Sequence, residues 1–470
     1  SATVADGEVN EIVAALTGKQ FLLFSEAGVK RIAGPSADEP VTAAGRVARE
    51  VSTVGIRAGT MPIKASDAVI YVEAAGRGLQ ELPYSNADAR SLLFRARHVA
   101  ASPLAELGLA TYPDARIYAR RDDGQLYVLV YSRFENVVAW SRIDLGGAFD
   151  GAHAVVESLS VIPGDEGHDE LWLIVKRTVD GATRRDVQRL RREWDPGRDR
   201  ADQQRYLDGH VVTDHWNGDT GKTLTLTLDD GAATQPGDTG TISASGHTPF
   251  TVGQVGDEVW LRKSSAPAKD SDELGPLRAL ITVYNSSTSI DVELVSSAPA
   301  ALVGAALSEW AFPSVAVSGL DHLEGEAVYA LADGSARGPY TVASGAIALD
   351  AVAARIVTGQ AYTARLVSLP LETGSPIGTG RGAMVHVDEA TVFTKNTIGG
   401  QVRQYGREQS EPLVARQSAD VLGRAPGPET RDARVRFEND YNREKQVEIF
   451  HDIPTACSIV GLAIKGAVNA

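Results

Sequence analysis

Short apolar runs closed by glycine turns fill the first 205 residues, and they recur. Gln20 to Phe24 leads through Glu26-Ala27-Gly28 into Val29 to Ile32. Ala68 to Val72 leads through Gly76-Arg77-Gly78 into Leu79 to Leu82. Ala115 to Ala119 leads through Asp122-Asp123-Gly124 into Gln125 to Tyr131, then Asn136 to Ile143. Glu170 to Val175 leads through Val179-Asp180-Gly181 into Arg184 to Leu190. With Phe21, Val69, Ile117 and Leu171 aligned, the steps are 48, 48 and 54 residues. A period near 50, each unit an apolar strand, a turn and a second strand, predicts the blades of a β-propeller. A single small sheet cannot bury both faces, whereas blades packed in succession can. The plainer reading is a set of unrelated hairpins. Only four units are visible, so closing a ring calls for residues upstream of Ser1 or strands from later in the chain.

Other stretches break this rhythm. Ala87, Leu92, Leu93, Ala96, Val99 and Leu104 have a partly helical spacing interrupted by Pro103, and they predict a short helix within Asn86 to Ala105. Arg90, Arg95, Arg97 and His98 would lie on its solvated or inter-subunit face. Residues 191–205 alternate Arg with Asp and Glu, which predicts a solvated connection. Leu224 to Leu228, Phe250 to Val252, Glu258 to Arg262, Arg278 to Tyr284 and Ser289 to Val295 follow as strands. They predict a small β-domain over 222–312 inserted into the main fold, with a polar loop at Ser264 to Gly275.

From 318 to 372 turn signals come about every ten residues, at Gly319 to Gly325, Asp333-Gly334 and Ala343-Ser344-Gly345. Between them Ala327 to Ala332, Tyr340 to Val342, Ala346 to Leu349, Arg355 to Val357 and Tyr362 to Leu369 predict a five-strand antiparallel meander. Ala383 to Phe393, Gln446 to Ile449 and Cys457 to Ile464 are the clearest later strands. The fold class is therefore all-β, with propeller-like blades over 1–205, the inserted domain at 222–312, and β meander and strands over 313–470 completing the main body.

Composition narrows the function classes. Charged residues at 23% and apolar residues at 43% describe a folded chain, and 46 Gly with 21 Pro suit a turn-rich one. The formal net charge of -15 disfavours non-specific binding to a nucleic-acid backbone. The one cysteine, Cys457, allows neither a disulfide framework nor a cysteine zinc cluster. No apolar run reaches the roughly 18–20 residues of a membrane helix. No signal peptide opens the chain, and its first residue is Ser1, so it reads as a fragment or a trimmed product.

The search for chemistry finds little. Asp321, His322, Glu324 and Glu326 are the densest polar cluster of the meander, but such clusters are common in surface turns and no second ligand group is spaced for a metal. Gly218 to Thr223 ends like a phosphate loop, yet Trp216 stands where its first glycine belongs, so a β-turn is expected. Gly378 to Gly382 superficially resembles a dinucleotide loop but no helix follows it. His210 and His215 lack a third ligand. Trp140 and Trp172 are expected in the core, a sugar-stacking role being the alternative. No catalytic, cofactor-binding or metal-binding residue is assigned, no cofactor is expected, and the chain is expected not to be an enzyme.

Several of these stretches resemble one family. Gly319-Leu320-Asp321-His322-Leu323-Glu324-Gly325-Glu326, the strand ending at Ala332-Asp333-Gly334, and Gly359-Gln360-Ala361-Tyr362 are similar to the tail nozzle proteins of short-tailed bacteriophages, also called tail tubular protein B or phage stabilisation proteins. Asp122 to Tyr131 with Asn136 to Arg142, Ser158 to Pro163, Asp169 to Leu173, Arg177 to Gly181 and Asp452-Ile453-Pro454 extend the resemblance over most of the chain. Ala425-Pro426-Gly427-Pro428 departs from it. The resemblance implies a structural protein of the virion tail, a homo-oligomer and most readily a hexamer, forming the channel for genome ejection. Its expected partners are the head-to-tail adaptor ring and tail fibre or tip proteins, with genome DNA passing through unbound and no membrane insertion by this chain. The alternative function is a carbohydrate-binding or carbohydrate-active β-propeller tail protein.

Overall fold

The computed structural model describes residues 11–18, 20–34, 41–42, 45, 47–84, 89–164, 167–231, 234–263, 276–371, 374–375, 378–379, 384–414, 427–437 and 446–469. The protein is all-β, with antiparallel pairing throughout its named strands and, among the described residues, only single turns of 3-10 helix. It divides into two compact units, residues 1–192 and 193–470.

The first unit is built from sheets laid down in chain order. Ile12–Thr17, Phe21–Ser25, Gly28–Ala33 and Val47–Ser52 form the first. Ile63–Ala65, Ala68–Val72, Leu79–Pro83 and Arg90–Ser91 form the second. Leu104–Ala110, Arg116–Arg121, Leu126–Ser132 and Val137–Ile143 form the third, and Val155–Pro163, Asp169–Val179 and Ala182–Arg189 the fourth. In each, neighbours in sequence are neighbours in the sheet. Phe21, Val69, Ile117 and Leu171 all fall on the second strand of their sheet, so the repeat step marks equivalent positions. In the first two sheets the two-strand unit seen in the sequence is the middle pair; in the third it is the middle pair with one edge strand, and in the three-stranded fourth it is the middle strand with one edge strand.

Period-2 alternation explains why these sheets associate. All five residues of Ala68–Val72 are buried. Val69 and Tyr71 pack with Leu22, Phe24 and Val29 of the first sheet, whereas Ile70 and Val72 pack with Ile117, Ala119 and Leu129 of the third. The third sheet repeats the device, turning Tyr127 and Leu129 to the second sheet and Tyr118 and Leu126 to Leu159, Leu171 and Leu173 of the fourth. A strand buried on both faces needs the continuous apolar run that the sequence shows. Each such Leu or Ile contributes about 1.5–3 kcal/mol by leaving water. The first two sheets are also joined at Gly55, where a Cβ would sit 1.9 Å from the Glu26 carbonyl oxygen, so only glycine fits.

The helix expected within Asn86 to Ala105 does not form over its described residues, 89–105. A two-residue strand at Arg90–Ser91, one 3-10 turn at Arg97–Ala100 and the strand Leu104–Ala110 take its place. Its apolar residues are still used: Leu92, Leu93, Val99, Ala100 and Leu104 enter the core between the second and third sheets. Pairing of 90–91 with 80–81 consumes the stretch a helix would need.

In the second unit, Thr223–Leu228, Thr239–Ser245, Glu258–Arg262, Leu277–Ser286, Ser289–Leu294 and Glu309–Ala311 make one six-stranded sheet. Leu224, Leu226, Ile242, Val259, Ile281 and Val292 belong to its own apolar cluster. The expected loop at Ser264 to Gly275 lies outside the described residues. The five strands expected as one meander are instead distributed over three sheets. Ala327–Ala332 lies between Ser335–Thr341 and Arg355–Gln360, with Asp208–Asp214 at the far edge. Ala346–Ala353 pairs with Ser314–Ser318, and Ala364–Val367 joins Val447–His451, Gln401–Gln404 and Ser410–Pro412. Strand order in sequence cannot reveal such a departure, because each strand carries the same alternation. The Asp333-Gly334 turn forms as expected, with φ of 49° and 83°, the left-handed pair of a type I′ hairpin. A last sheet of Asp432–Arg436, Met384–Thr394 and Ile459–Asn469 packs Ala390 and Val392 against Val402 and Ile449.

Candidate functional site

The polar turn at 319–326 is the sharpest sequence feature, and its side chains are engaged with backbone. Leu320 and Leu323 are buried on either side of the 3-10 turn Asp321–Leu323. Glu324 accepts from the Ser344 and Gly345 backbone amides at 2.8 and 2.7 Å. His322 Nε2 lies 2.6 Å from the Gly209 carbonyl oxygen, so that nitrogen carries the proton and donates. Glu326 takes a long contact of 3.4 Å from the Gln360 amide. Gly345, at φ +66°, leaves room for Asp321, whose Oδ1 would be 2.5 Å from a Cβ there. Asp321 and Glu324 therefore hold the Ala343 to Ala346 hairpin, His322 the strand at 208–214, and Glu326 the strand at 355–360. Among the described residues no three metal-ligating side chains converge.

The other sequence candidates are equally placed by structure. Asp219 caps its own turn, accepting from Gly221 N at 3.0 Å with Lys222 Nζ 3.3 Å away, and Thr223 then opens a strand. Without a helix N-terminus there is no phosphate cradle. Of the glycine loop at 378–382, residues 380–382 lie outside the described residues. His210 Nδ1 lies 3.0 Å from the Leu207 carbonyl oxygen and shares no site with His215. Trp140 is half-buried against the core of the second and third sheets, donating to Leu92 O at 3.1 Å. Trp172 donates to Glu170 at 3.1 Å while Arg189 lies over its ring at 5.5 Å.

Three buried ionic centres escape a reading by motif. Glu81 is 0% exposed, with Arg90 Nε at 2.5 Å from one oxygen and Arg133 Nη1 at 3.3 Å from the other, the latter without hydrogen-bond alignment. Burial, then the Glu81 charge, pushes the neighbouring Tyr131 hydroxyl up to about 12. Glu448, 1% exposed, lies between Arg365 and Arg403. Burial alone would raise its pKa, but the two guanidinium groups outweigh it and hold it below the usual range. The third centre corrects the expectation of a solvated connection at 191–205. Trp194, Asp202 and Gln204 are buried there. Arg200 and Arg262 both reach Glu309, at 3.1 and 2.5 Å, Arg262 also reaches Asp202 at 2.9 Å, and its guanidinium lies 3.7 Å from the Trp216 ring centroid. Arg191, Glu193, Asp195 and Arg198 do face water as expected, whereas Arg200 and Asp202 pair with Glu309 and Arg262 and so tie the six-stranded module to its surroundings. The signal available in sequence was a lone Glu inside an apolar strand, as at 79–83 and 447–450.

One cavity of about 220 Å³ lies at the end of the sandwich formed by the last two sheets. Leu366, Ile449 and His451 of one sheet, Ile459 of the other, and Tyr206 and Tyr362 line it. Burial pushes the Tyr206 hydroxyl up to about 12, raises that of Tyr362, and lowers the His451 imidazole. Cys457, also on the wall, is pushed up to about 11 by burial, which keeps it a thiol. Residues so far apart in sequence offered no spacing by which to find this site.

No protein-family model matches the chain. No curated protein matches it either.

Proposed function

We propose that this chain is a structural subunit of the tail nozzle of a short-tailed bacteriophage, forming with further copies the channel through which the genome leaves. The observation that carries the reading is the run of four blade-type sheets, laid down in chain order with equivalent strands at the repeat step. The 319–326 turn, the strongest point of the family resemblance, serves in this reading as a structural clamp. The role needs no chemical step; it needs rigid sheets and a surface that does not retain DNA. With 61 acidic and 46 basic residues, the chain can line a bore with carboxylates while its arginines are engaged in ion pairs. Further surfaces would dock the adaptor ring and the fibre or tip proteins. No helix among the described residues is long and apolar enough to cross a membrane.

An antibody raised against the chain tests the assignment on purified virions. Labelling confined to the tail is expected, and its absence from particles would overturn the proposal. A glycan array and a polysaccharide-hydrolysis assay test the carbohydrate alternative, and neither is expected to give a signal.

A further inference from the structure

The six-stranded sheet of the second unit curls until its two edge strands meet. Thr223–Leu228 begins the strand order and Glu309–Ala311 ends it. Yet Leu224 and Leu307 exchange backbone bonds of 2.9 and 2.8 Å, and the Gly304 amide donates to Leu226 O at 2.8 Å. Both sides of this seam converge on Asn217. Its Nδ2 lies 3.2 Å from Lys222 O, just before the first strand, 2.7 Å from Ser308 O, just before the last, and 3.2 Å from Asp219 O. Its backbone amide donates to Trp310 O at 2.8 Å, and Trp310 Nε1 donates to Lys222 O at 3.2 Å. A group facing three carbonyl oxygens must be the donor end of the side-chain amide, so Asn217 latches the seam.

The residue that holds the latch is also chemically labile. Asn217-Gly218 is the one Asn-Gly pair of the sequence. Gly218 is exposed, a Cβ built on it meets nothing within 4 Å, and its amide makes no hydrogen bond to the described residues. That nitrogen is free to lose its proton and attack Cγ of Asn217. The new N–Cγ bond closes a cyclic succinimide, the Cγ–Nδ2 bond breaks, and ammonia leaves. Water then opens the ring and gives aspartate or isoaspartate at 217. The closed seam opposes the attack. Three contacts hold the nitrogen that must depart, and donation to carbonyl oxygens strengthens the amide resonance that makes Cγ a poor electrophile.

We propose that Asn217-Gly218 is a self-deamidating latch: it reacts when the seam opens, and its product cannot close the seam again. An ionised aspartate has no N–H to offer Lys222 O and Ser308 O, and the three carbonyl oxygens repel its charge. Isoaspartate also lengthens the backbone between the bond to Trp310 and the turn at 218–222. Either product frees the edge of Thr223–Leu228, which alternates Thr with Leu, and an unpaired edge of that kind is a template for pairing with another chain. The reaction needs only this chain and water, and it does not rest on the nozzle reading.

The full chain is aged in mildly alkaline buffer, both folded and in urea, and residue 217 is read by peptide mapping with mass spectrometry. Conversion in the folded chain is expected to be at least about tenfold slower than in urea, because it waits on local opening. Gly218→Ala, for which there is room, should slow the reaction in urea without lowering the Tm of the folded chain. The deamidated fraction of the folded chain carries an added negative charge and separates by anion exchange. It should melt about 4–8 °C lower than the unaltered chain. Its amides should exchange faster over 223–228 and 303–311, with the sheets of residues 1–192 unchanged. Asn217→Asp should reproduce both effects; if that variant does not fold, the isolated fraction is read alone. Absence of conversion at 217 in urea, equal rates in the folded and unfolded chain, or a deamidated fraction that melts and exchanges like the unaltered chain would overturn the proposal.

Discussion

At the residue scale, charge buried within strands decides much of the stability. Glu81 has no access to water, while its partners Arg90 and Arg133 are 45% and 31% exposed. The two ends of the pair are therefore not equivalent. Arg90→Ala leaves a sealed carboxylate with one long contact and should cost about 3–5 kcal/mol. Glu81→Gln leaves two arginines free to turn to water, and should cost no more than about half as much. Urea unfolding of both variants measures the asymmetry, and equal losses would contradict it.

Asp333 gives the pH counterpart. Burial raises its pKa to about 6, against the opposing Arg355 and Ala354 amides; Asp202 raises it further and Arg337 lowers it. The folded state therefore holds an extra proton between about 4 and 6, and stability from this group falls as pH rises through that window. Asp333→Asn cannot ionise. Its NH2 meets one of the two backbone amides that Asp333 accepts, so it should be about 1–3 kcal/mol less stable than the unaltered protein near pH 4, and the difference should move in its favour by about 1–3 kcal/mol by pH 7, read from Tm. A difference independent of pH would contradict the assignment. Glu448 has the opposite sign: held low by Arg403 and Arg365 against the effect of burial, it contributes stability above the ordinary glutamate range that is lost as pH falls through its folded value. The lone Glu81 and Glu448 in apolar strands were the only trace of these centres in sequence, and their arginine partners were not legible because they lie on other strands, while Asp333 was legible as a turn residue but its burial was not.

At the element scale the first unit was the most legible part. Ala68–Val72 and Arg116–Arg121 carry apolar residues on successive positions because each strand is buried on both faces. The glycine turns then fix their spacing. What failed were the elements without such a run. Arg90–Ser91 is two residues long and owes its place to pairing with Gln80 and Glu81, and Leu92, Leu93, Ala96, Val99 and Leu104 imitated a helical spacing. The strands of 318–372 were found, but their allocation to three sheets depends on partners as distant as Asp208–Asp214 and Val447–His451. At this scale Ile70→Ala, at 0% exposure, should cost about 2–5 kcal/mol, whereas Val187→Ala, at 70%, should stay within about 0.5 kcal/mol. Deletion of 222–312 behind a short Gly/Ser bridge should leave the remainder folded, since the six-stranded sheet has its own core. The remainder should melt cooperatively but lower, because Asp202 loses Arg262. Loss of all folded protein would show that the module belongs to the main core.

At the scale of the whole molecule, the account rests on a chain that repeats one sheet and carries excess acid. A net charge of -15 would serve solubility in any protein. In a nozzle it also has a mechanical consequence, because each phosphate held by Lys or Arg slows sliding DNA, and carboxylates along the bore keep the duplex moving. The isolated chain is expected to be monomeric and to form its ring on a preceding ring of the particle. The most direct measurement is cryo-electron microscopy of virions that contain this chain. The account predicts six copies about the tail axis, the sheets of 1–192 in each copy, and a bore where Asp and Glu outnumber Lys and Arg. A copy number incompatible with six, a location away from the axis, or a bore lined mainly by Lys and Arg would contradict it.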